Sequence, residues 1–135
     1  MKHFQKVILL SGMILLLLGI ILGAFGAHGL KGKISNEQIA SFETGVRYQI
    51  YHGLALLGVG ATFPYLDFSL KWSFRFMILG LIFFSGSIYF LSLQEICHIS
   101  ISKIIGPITP IGGLLLIISW MILIIKLVKQ KVTKS

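Results

Sequence analysis

Four long apolar stretches, separated by short polar segments, make up most of this chain. They cover residues 7–27, 46–66, 72–93 and 106–126. Each has about the 20 mainly apolar residues that an α-helix needs to cross about 30 Å of hydrocarbon. The pattern predicts an all-α integral membrane protein in which four spans form a compact antiparallel bundle. Because little chain remains outside these stretches, we expect residues 1–135 to form a single transmembrane domain.

The polar segment before the second stretch has its own helical pattern. Ser35 followed by Gln38 is a capping-box spacing, which predicts that a helix begins there. Ile39, Phe42 and Val46 then recur at three- and four-residue intervals, with polar residues between them. We therefore expect a short amphipathic helix in the membrane interface before the second span.

Glycines in the first stretch fall on one face of the predicted helix. Gly19 and Gly23 are four residues apart, and Gly12 and Gly26 continue the same face. Small residues at this spacing let two membrane helices approach closely. The pattern favours helix packing, with a glycine-lined pore as the alternative.

Composition and charge agree with a membrane location. The chain is 56% hydrophobic and 12% charged, whereas soluble domains have about 25% charged residues. The net charge of +8 does not indicate nucleic acid, because the basic residues flank the spans instead of forming one stripe. A four-span arrangement places both termini in the cytoplasm by the positive-inside rule and creates a basic cytoplasmic rim that favours anionic lipid. The residues on the inner side are Lys2, Lys6, Lys71, Arg75, Lys126, Lys129, Lys131 and Lys134, and those on the outer side are Lys31, Lys33, Arg47 and Lys103.

Ionisable and aromatic residues enter the second span at helical spacing. Glu43 and Arg47 are four residues apart, as are Tyr48 and His52. We expect Arg47 to pair with Glu43, because an unpaired arginine in hydrocarbon is costly and such residues often mark functional sites. A purely structural interpretation stays open, in which Arg47 extends to the interface, Tyr48 is a membrane-interface anchor and His52 bonds a backbone carbonyl of a neighbouring helix.

Metal and covalent chemistry have weaker support. A zinc site could use Glu43 with His28, His52 and His98, but no close ligand spacing supports it. The single cysteine, Cys97, cannot form an intramolecular disulfide. We expect it to be a small apolar residue that packs against its neighbours. No serine lies in a nucleophile elbow. We therefore predict no catalytic residue, metal ligand or cofactor.

Four motifs together resemble the YgdD-like family of small bacterial inner-membrane proteins. They are GAFGAHGL at 23–30, FETGVRYQIYH at 42–52, FSGSIY at 84–89 and ITPIGG at 108–113. The resemblance covers nearly the whole chain and implies a four-helix protein of the bacterial cytoplasmic membrane with no established biochemical function. The motif positions that it implies are His28, Glu43, Tyr48, Gln49, His52, Ser85, Tyr89, Thr109 and Pro110.

Our functional hypothesis is a non-enzymatic membrane protein that binds a lipid or a membrane partner through a polar pocket in the outer leaflet. In it Arg47 contacts an anion, and His52 donates a hydrogen bond or titrates. The alternatives are a subunit of a small transporter or channel, which requires a homo-oligomer, and an intramembrane lipid-modifying enzyme. The predicted pocket residues are His28, Glu43, Arg47, Tyr48, Gln49, His52, Ser85, Tyr89 and Thr109.

Overall fold

The computed structural model describes residues 1–131, and all secondary structure in that range is helical. The first long unit is α1 (His3–Ala24), which continues through a π-helical turn at Phe25–Gly29. The second is α2 (Asn36–Thr62), followed by a short 3₁₀ turn. The third consists of α3 (Lys71–Leu81), a π-helical turn (Ile82–Gly86) and α4 (Ser87–Leu93). The fourth is the single turn α5 (Ser102–Ile105) followed by α6 (Ile108–Lys129).

The four long units form a helical bundle, as predicted. Helix α1 packs along α2, and α3 packs along α6, while α4 and the π-turn before it contact both α2 and α6. Short connections between consecutive long helices make neighbouring units antiparallel. The bundle therefore consists of two helix pairs that meet through the third unit.

Within residues 1–131, three helices are long and apolar enough to cross a membrane by length and composition. They are His3–Gly29, Lys71–Leu93 and Ser102–Lys129, which contain the predicted first, third and fourth spans. Helix α2 has 27 residues and reaches about 40 Å at 1.5 Å per residue, so it is long enough to cross. It is not one of these three helices, because its polar residues lower its mean hydropathy. A crossing by α2, and the resulting placement of both termini in the cytoplasm, stay predictions; Lys134, which entered that charge count, lies outside the described residues.

The start of α2 follows the predicted capping box. The backbone N–H of Gln38 donates to Oγ of Ser35 over 3.2 Å, and the Ser35 N–H donates to Oε1 of Gln38 over 3.1 Å. The amphipathic segment is the first part of α2 and runs into the second apolar stretch without a break. Gly45 is buried within this continuous helix.

Glycines set the closest helix contacts. A Cβ on Gly12 would lie 2.9 Å from the carbonyl oxygen of Gly53, so α1 and α2 touch backbone to backbone. On the other pair, a Cβ on Gly80 would lie 2.9 Å from the backbone nitrogen of Leu116. These contacts confirm the packing role predicted for the glycine face of the first span.

Two apolar clusters stabilise the bundle at different levels. One comprises Leu30, Ile34, Phe42 and Val46 near the start of α2. The other contains Leu56 of α2 together with buried side chains of α1, α3 and α6. The stretch of α2 between Val46 and Leu56 carries the buried polar residues and positions the candidate site.

Candidate functional site

The predicted pocket residues fall into an exposed group and a buried group instead of lining one pocket. His28, Glu43, Arg47 and Tyr48 are exposed. The others are buried or partly buried between helices. This second group consists of Gln49, His52, Ser85, Tyr89 and Thr109.

Gln49 joins three helices through its amide group. Its side chain is 5% exposed, and Nε2 donates to the carbonyl oxygen of Leu15 on α1 over 2.9 Å. The hydroxyl of Tyr89 on α4 donates to Oε1 of Gln49 over 2.7 Å. The Tyr89 ring reaches this position because Gly45 leaves room for it: a Cβ there would lie 2.8 Å from the ring. Both ends of the amide are therefore used in holding the bundle together.

The second π-turn is tied to both of its neighbours. Oγ of Ser85 donates to the carbonyl oxygen of Gly45 on α2 over 2.8 Å. Ser87, directly after the turn, has its hydroxyl 2.6 Å from that of Thr109 on α6, and it also donates to the Phe84 carbonyl. A π-turn adds a residue to the helix and redirects the side chains around it. Here it turns two serines of one segment toward different helices.

His52 joins α2 to α6. Its Nδ1 lies 2.7 Å from the carbonyl oxygen of Tyr48, and its Nε2 lies 3.2 Å from Nε1 of Trp120. The indole N–H can only donate, so Nε2 accepts and Nδ1 carries the proton that is donated to Tyr48. One neutral tautomer satisfies both bonds. The structural interpretation expected a carbonyl of a neighbouring helix, whereas the carbonyl partner is that of Tyr48 on the same helix. The partner on the neighbouring helix is Trp120, which the sequence did not indicate.

Arg47 does not pair with Glu43. Its Nη2 donates to Oγ1 of Thr44 over 3.0 Å, and the hydroxyl of Thr44 donates in turn to Ala40. No Glu43–Arg47 ion pair is present in residues 1–131, so the pairing expected from their spacing is wrong. Both side chains are exposed.

The alternative zinc site is not assembled. Within residues 1–131 no group of three or more His, Cys, Asp or Glu side chains could hold a metal ion. His28 is exposed on the first π-turn, and His98 is exposed in the loop after α4. His52 uses both ring nitrogens in hydrogen bonds.

Two grooves follow the seam between α2 and α6. The first, the outer groove, encloses about 420 Å³ and lies between Tyr48 and His52 on α2 and the side chains of α6. The second, the inner groove, encloses about 200 Å³ and begins near Val59. Trp120 and Ile124 line both grooves. The other residues of the outer groove are Phe84, Gly113, Leu116, Ile117 and Met121.

The sequence interpretation missed several residues that position this region. Trp120 was not among the predicted site residues, although a tryptophan near the centre of a span was a usable signal. Ser73 and Ser119 bond reciprocally: Oγ of Ser119 donates to the Ser73 carbonyl over 2.8 Å, and Oγ of Ser73 to the Ser119 carbonyl over 3.1 Å. Single serines in long apolar runs gave no comparable signal.

The helices and buried hydrogen bonds define a small multi-pass helical membrane protein. The chain belongs to the family described as "Protein of unknown function (DUF423)", whose model matches residues 22–113. That range contains all four motifs noted above. No solved structure matches this chain.

Named relatives are membrane proteins of similar length. A UPF0382 membrane protein of Staphylococcus epidermidis is 40% identical over 125 residues, which cover 93% of this chain and 98% of that protein. The UPF0382 membrane protein YwdK of Bacillus subtilis is 41% identical over 127 residues, with 93% and 98% coverage. A UPF0382 membrane protein of Staphylococcus aureus is 43% identical over 121 residues, with 90% and 94% coverage. The family places this chain in a membrane.

Proposed function

We propose that this protein binds a membrane lipid without catalysing a reaction, holding one acyl chain in the outer groove and the lipid phosphate near Arg47. The observation that carries the proposal is the outer groove itself, which encloses about 420 Å³ beside the exposed end of Tyr48. Apolar side chains of α6 form most of its wall. A groove of this character suits a hydrocarbon chain.

The length of the groove fits one leaflet of a bilayer. Its wall on α6 extends from Gly113 to Ile124, which is about 16 Å at 1.5 Å per residue. The hydrocarbon core of a bilayer is about 30 Å thick, so one leaflet contributes about 15 Å. An acyl chain that enters at the Tyr48 end therefore follows the groove over one leaflet.

The charge of Arg47, one residue before the groove residue Tyr48, suits a phosphate. Arg47 directly precedes Tyr48, and its exposed guanidinium is hydrogen-bonded to Thr44 alone among the described side chains. A guanidinium binds phosphate oxygens with paired N–H donors and stays charged under ordinary conditions. Glu43 is also exposed on α2, but it is not paired with this arginine.

The proposal includes an orientation. With both termini in the cytoplasm, the outer groove faces the outer leaflet of the bacterial cytoplasmic membrane, and Lys71, Arg75 and Lys126 meet anionic lipid on the inner side. The YgdD-like assignment by motif supports the same location.

The transporter alternative loses its main sequence argument. The glycine face that suggested a gated path is used in helix contacts: a Cβ on Gly19 would lie 2.7 Å from Cγ1 of Ile50. Gly12 faces Gly53 in the same way. These close contacts support a packed bundle.

Filling the groove tests the proposal. A Cβ on Gly113 would lie 3.7 Å from the Phe84 ring, at ordinary contact distance, so Gly113→Leu adds a side chain in the outer groove. Gly58→Leu is the matched control, because a Cβ at Gly58 meets nothing within 4 Å and Gly58 lines neither groove. Native mass spectrometry of protein purified in mild detergent would measure retained phosphatidylglycerol.

We expect Gly113→Leu to weaken phosphatidylglycerol binding about tenfold, equivalent to about 1.4 kcal/mol, while Gly58→Leu binds as the wild type does. Arg47→Gln is expected to reduce the preference for phosphatidylglycerol over phosphatidylcholine, since the anion contact is lost. Equal lipid retention by wild type and Gly113→Leu would refute the proposal. Recovery of a second protein chain in place of lipid would also refute it.

A further inference from the structure

We infer that Trp120, held by His52, sets the length of the acyl chain that the outer groove accepts. This inference rests on the proposed lipid binding and assigns a specificity-determining residue to it. Nothing in the family description gives Trp120 a role.

Trp120 lies near the centre of the fourth span. Helix α6 runs from Ile108 to Lys129, so Trp120 is about 18 Å from the first of these residues and about 14 Å from the second along the axis. Tryptophan in membrane proteins is enriched at the two interfaces, where its ring lies at headgroup level. Trp72, at the start of α3 and 58% exposed, has such a position. Trp120 does not lie at an interface, so its indole N–H needs a hydrogen-bond acceptor within the hydrocarbon core.

The indole lies where the two grooves meet. Trp120 lines both the outer groove of about 420 Å³ and the inner groove of about 200 Å³. An acyl chain that continues from the outer groove into the inner groove must pass the two residues that line both, Trp120 and Ile124. Trp120 has the larger side chain of the two, so we expect removal of its indole to join the two spaces and to lengthen the path along α6 from Ile124 to Leu127.

His52 fixes the indole in this position. The Trp120 N–H donates to Nε2 of His52 over 3.2 Å, while Nδ1 of His52 is bonded to the Tyr48 carbonyl. His52 is 7% exposed, so its ring has little freedom to turn. The hydrogen bond joins α2 to α6 directly and holds the indole across the seam.

The test measures chain-length selectivity with the full-length protein. Wild type, Trp120→Ala, Trp120→Leu and Trp72→Ala are each mixed in detergent with equal amounts of dilauroyl and dioleoyl phosphatidylglycerol. Native mass spectrometry gives the ratio of short-chain to long-chain lipid bound. Trp72→Ala is the matched control, because it removes the same side chain at a site outside both grooves.

We expect wild type and Trp72→Ala to favour the short chain, and Trp120→Ala to shift the ratio toward the long chain about fivefold, equivalent to about 1 kcal/mol. Trp120→Leu keeps an apolar side chain for folding and still opens the seam, so a shift in the same direction is expected if Trp120→Ala is not stable enough to purify. His52→Phe, which removes the acceptor for the indole, is expected to give a smaller shift.

The outcomes separate this inference from the proposed function. If both Trp120 variants bind lipid at the wild-type short-to-long ratio, and Gly113→Leu still weakens binding, Trp120 does not set chain length and the groove remains a lipid site. If Gly113→Leu leaves binding unchanged, the groove is not a lipid site and both proposals fail. A ratio that shifts equally in Trp72→Ala would also overturn the role of Trp120.

Discussion

The hydroxyl of Tyr89 donates a 2.7 Å hydrogen bond to Oε1 of Gln49, and through it α4 is joined to α2. Nε2 of the same amide donates to Leu15 on α1. A single amide thus links the α1–α2 pair to the third unit of the bundle. Two side chains predicted to line a ligand pocket are in this structure part of the helix packing.

Tyr89→Phe is expected to destabilise the protein by about 0.6 kcal/mol and at most about 1.7 kcal/mol, the range measured for hydrogen bonds between membrane helices. The ring still fills the space beside Gly45, while Oε1 of Gln49 loses its donor. Gln49→Leu removes the bonds to both Leu15 and Tyr89 and should cost more. Unfolding in detergent by increasing sodium dodecyl sulfate measures both values.

Tyr51→Phe is a suitable control, because Tyr51 is 57% exposed. A double-mutant cycle between Gln49 and Tyr89 should give a coupling energy of the same size as the single Tyr89→Phe effect. Additive effects of the two substitutions would show that the bond contributes nothing to stability.

Gly12→Ala and Gly58→Ala should change stability in opposite directions. The added Cβ at Gly12 meets the Gly53 carbonyl oxygen at 2.9 Å, so the two helices must separate, and overpacking typically costs about 1–3 kcal/mol. At Gly58 the Cβ enters open space, and alanine favours a helix over glycine by up to about 1 kcal/mol. Thermal denaturation in one detergent compares them directly, and a stable Gly12→Ala variant would contradict the backbone contact.

Ser119→Ala is expected to lower the free energy of unfolding by about 0.6 kcal/mol and at most about 1.7 kcal/mol. Ser119 is fully buried and its hydroxyl donates to the Ser73 carbonyl, while the Ser73 hydroxyl bonds back to Ser119. Ser41→Ala, at an exposed position of α2, is the control and should change little. Identical denaturation curves for the two variants would argue against a stabilising role for the serine pair.

The sequence predicted what depends on local pattern. The lengths of the apolar stretches predicted the helices, and Ser35 with Gln38 predicted the start of α2. The glycine spacing predicted that the first span packs closely on another helix, without identifying that helix. Each of these depends on residues close together in the chain, or on the solvent that surrounds a whole helix.

The residues of the candidate site were predicted less well. Helical spacing shows which side chains share one face of a helix, but it does not show which other helix packs against that face. Gln49 lies two residues after Arg47, yet one is buried among helices and the other is exposed. The π-turn at Ile82–Gly86 shifts the register of the third unit, and it depends on contacts between distant segments, such as Ser85 with the Gly45 carbonyl. No pattern of neighbouring residues in the sequence indicated these long-range contacts. The role of Trp120 depends on the position of α6 opposite His52 in the folded protein.

The single cysteine tests the orientation of the protein. Cys97 is exposed in the loop between α4 and α5, and the positive-inside rule places that loop outside. A membrane-impermeant maleimide added to intact cells should therefore label the wild type and leave Cys97→Ser unlabelled. In the Cys97→Ser background, Lys2→Cys should react only after the membrane is permeabilised, because we expect the N-terminus in the cytoplasm. Labelling of Lys2→Cys in intact cells, with protection of Cys97, would reverse the orientation and move the outer groove to the inner leaflet.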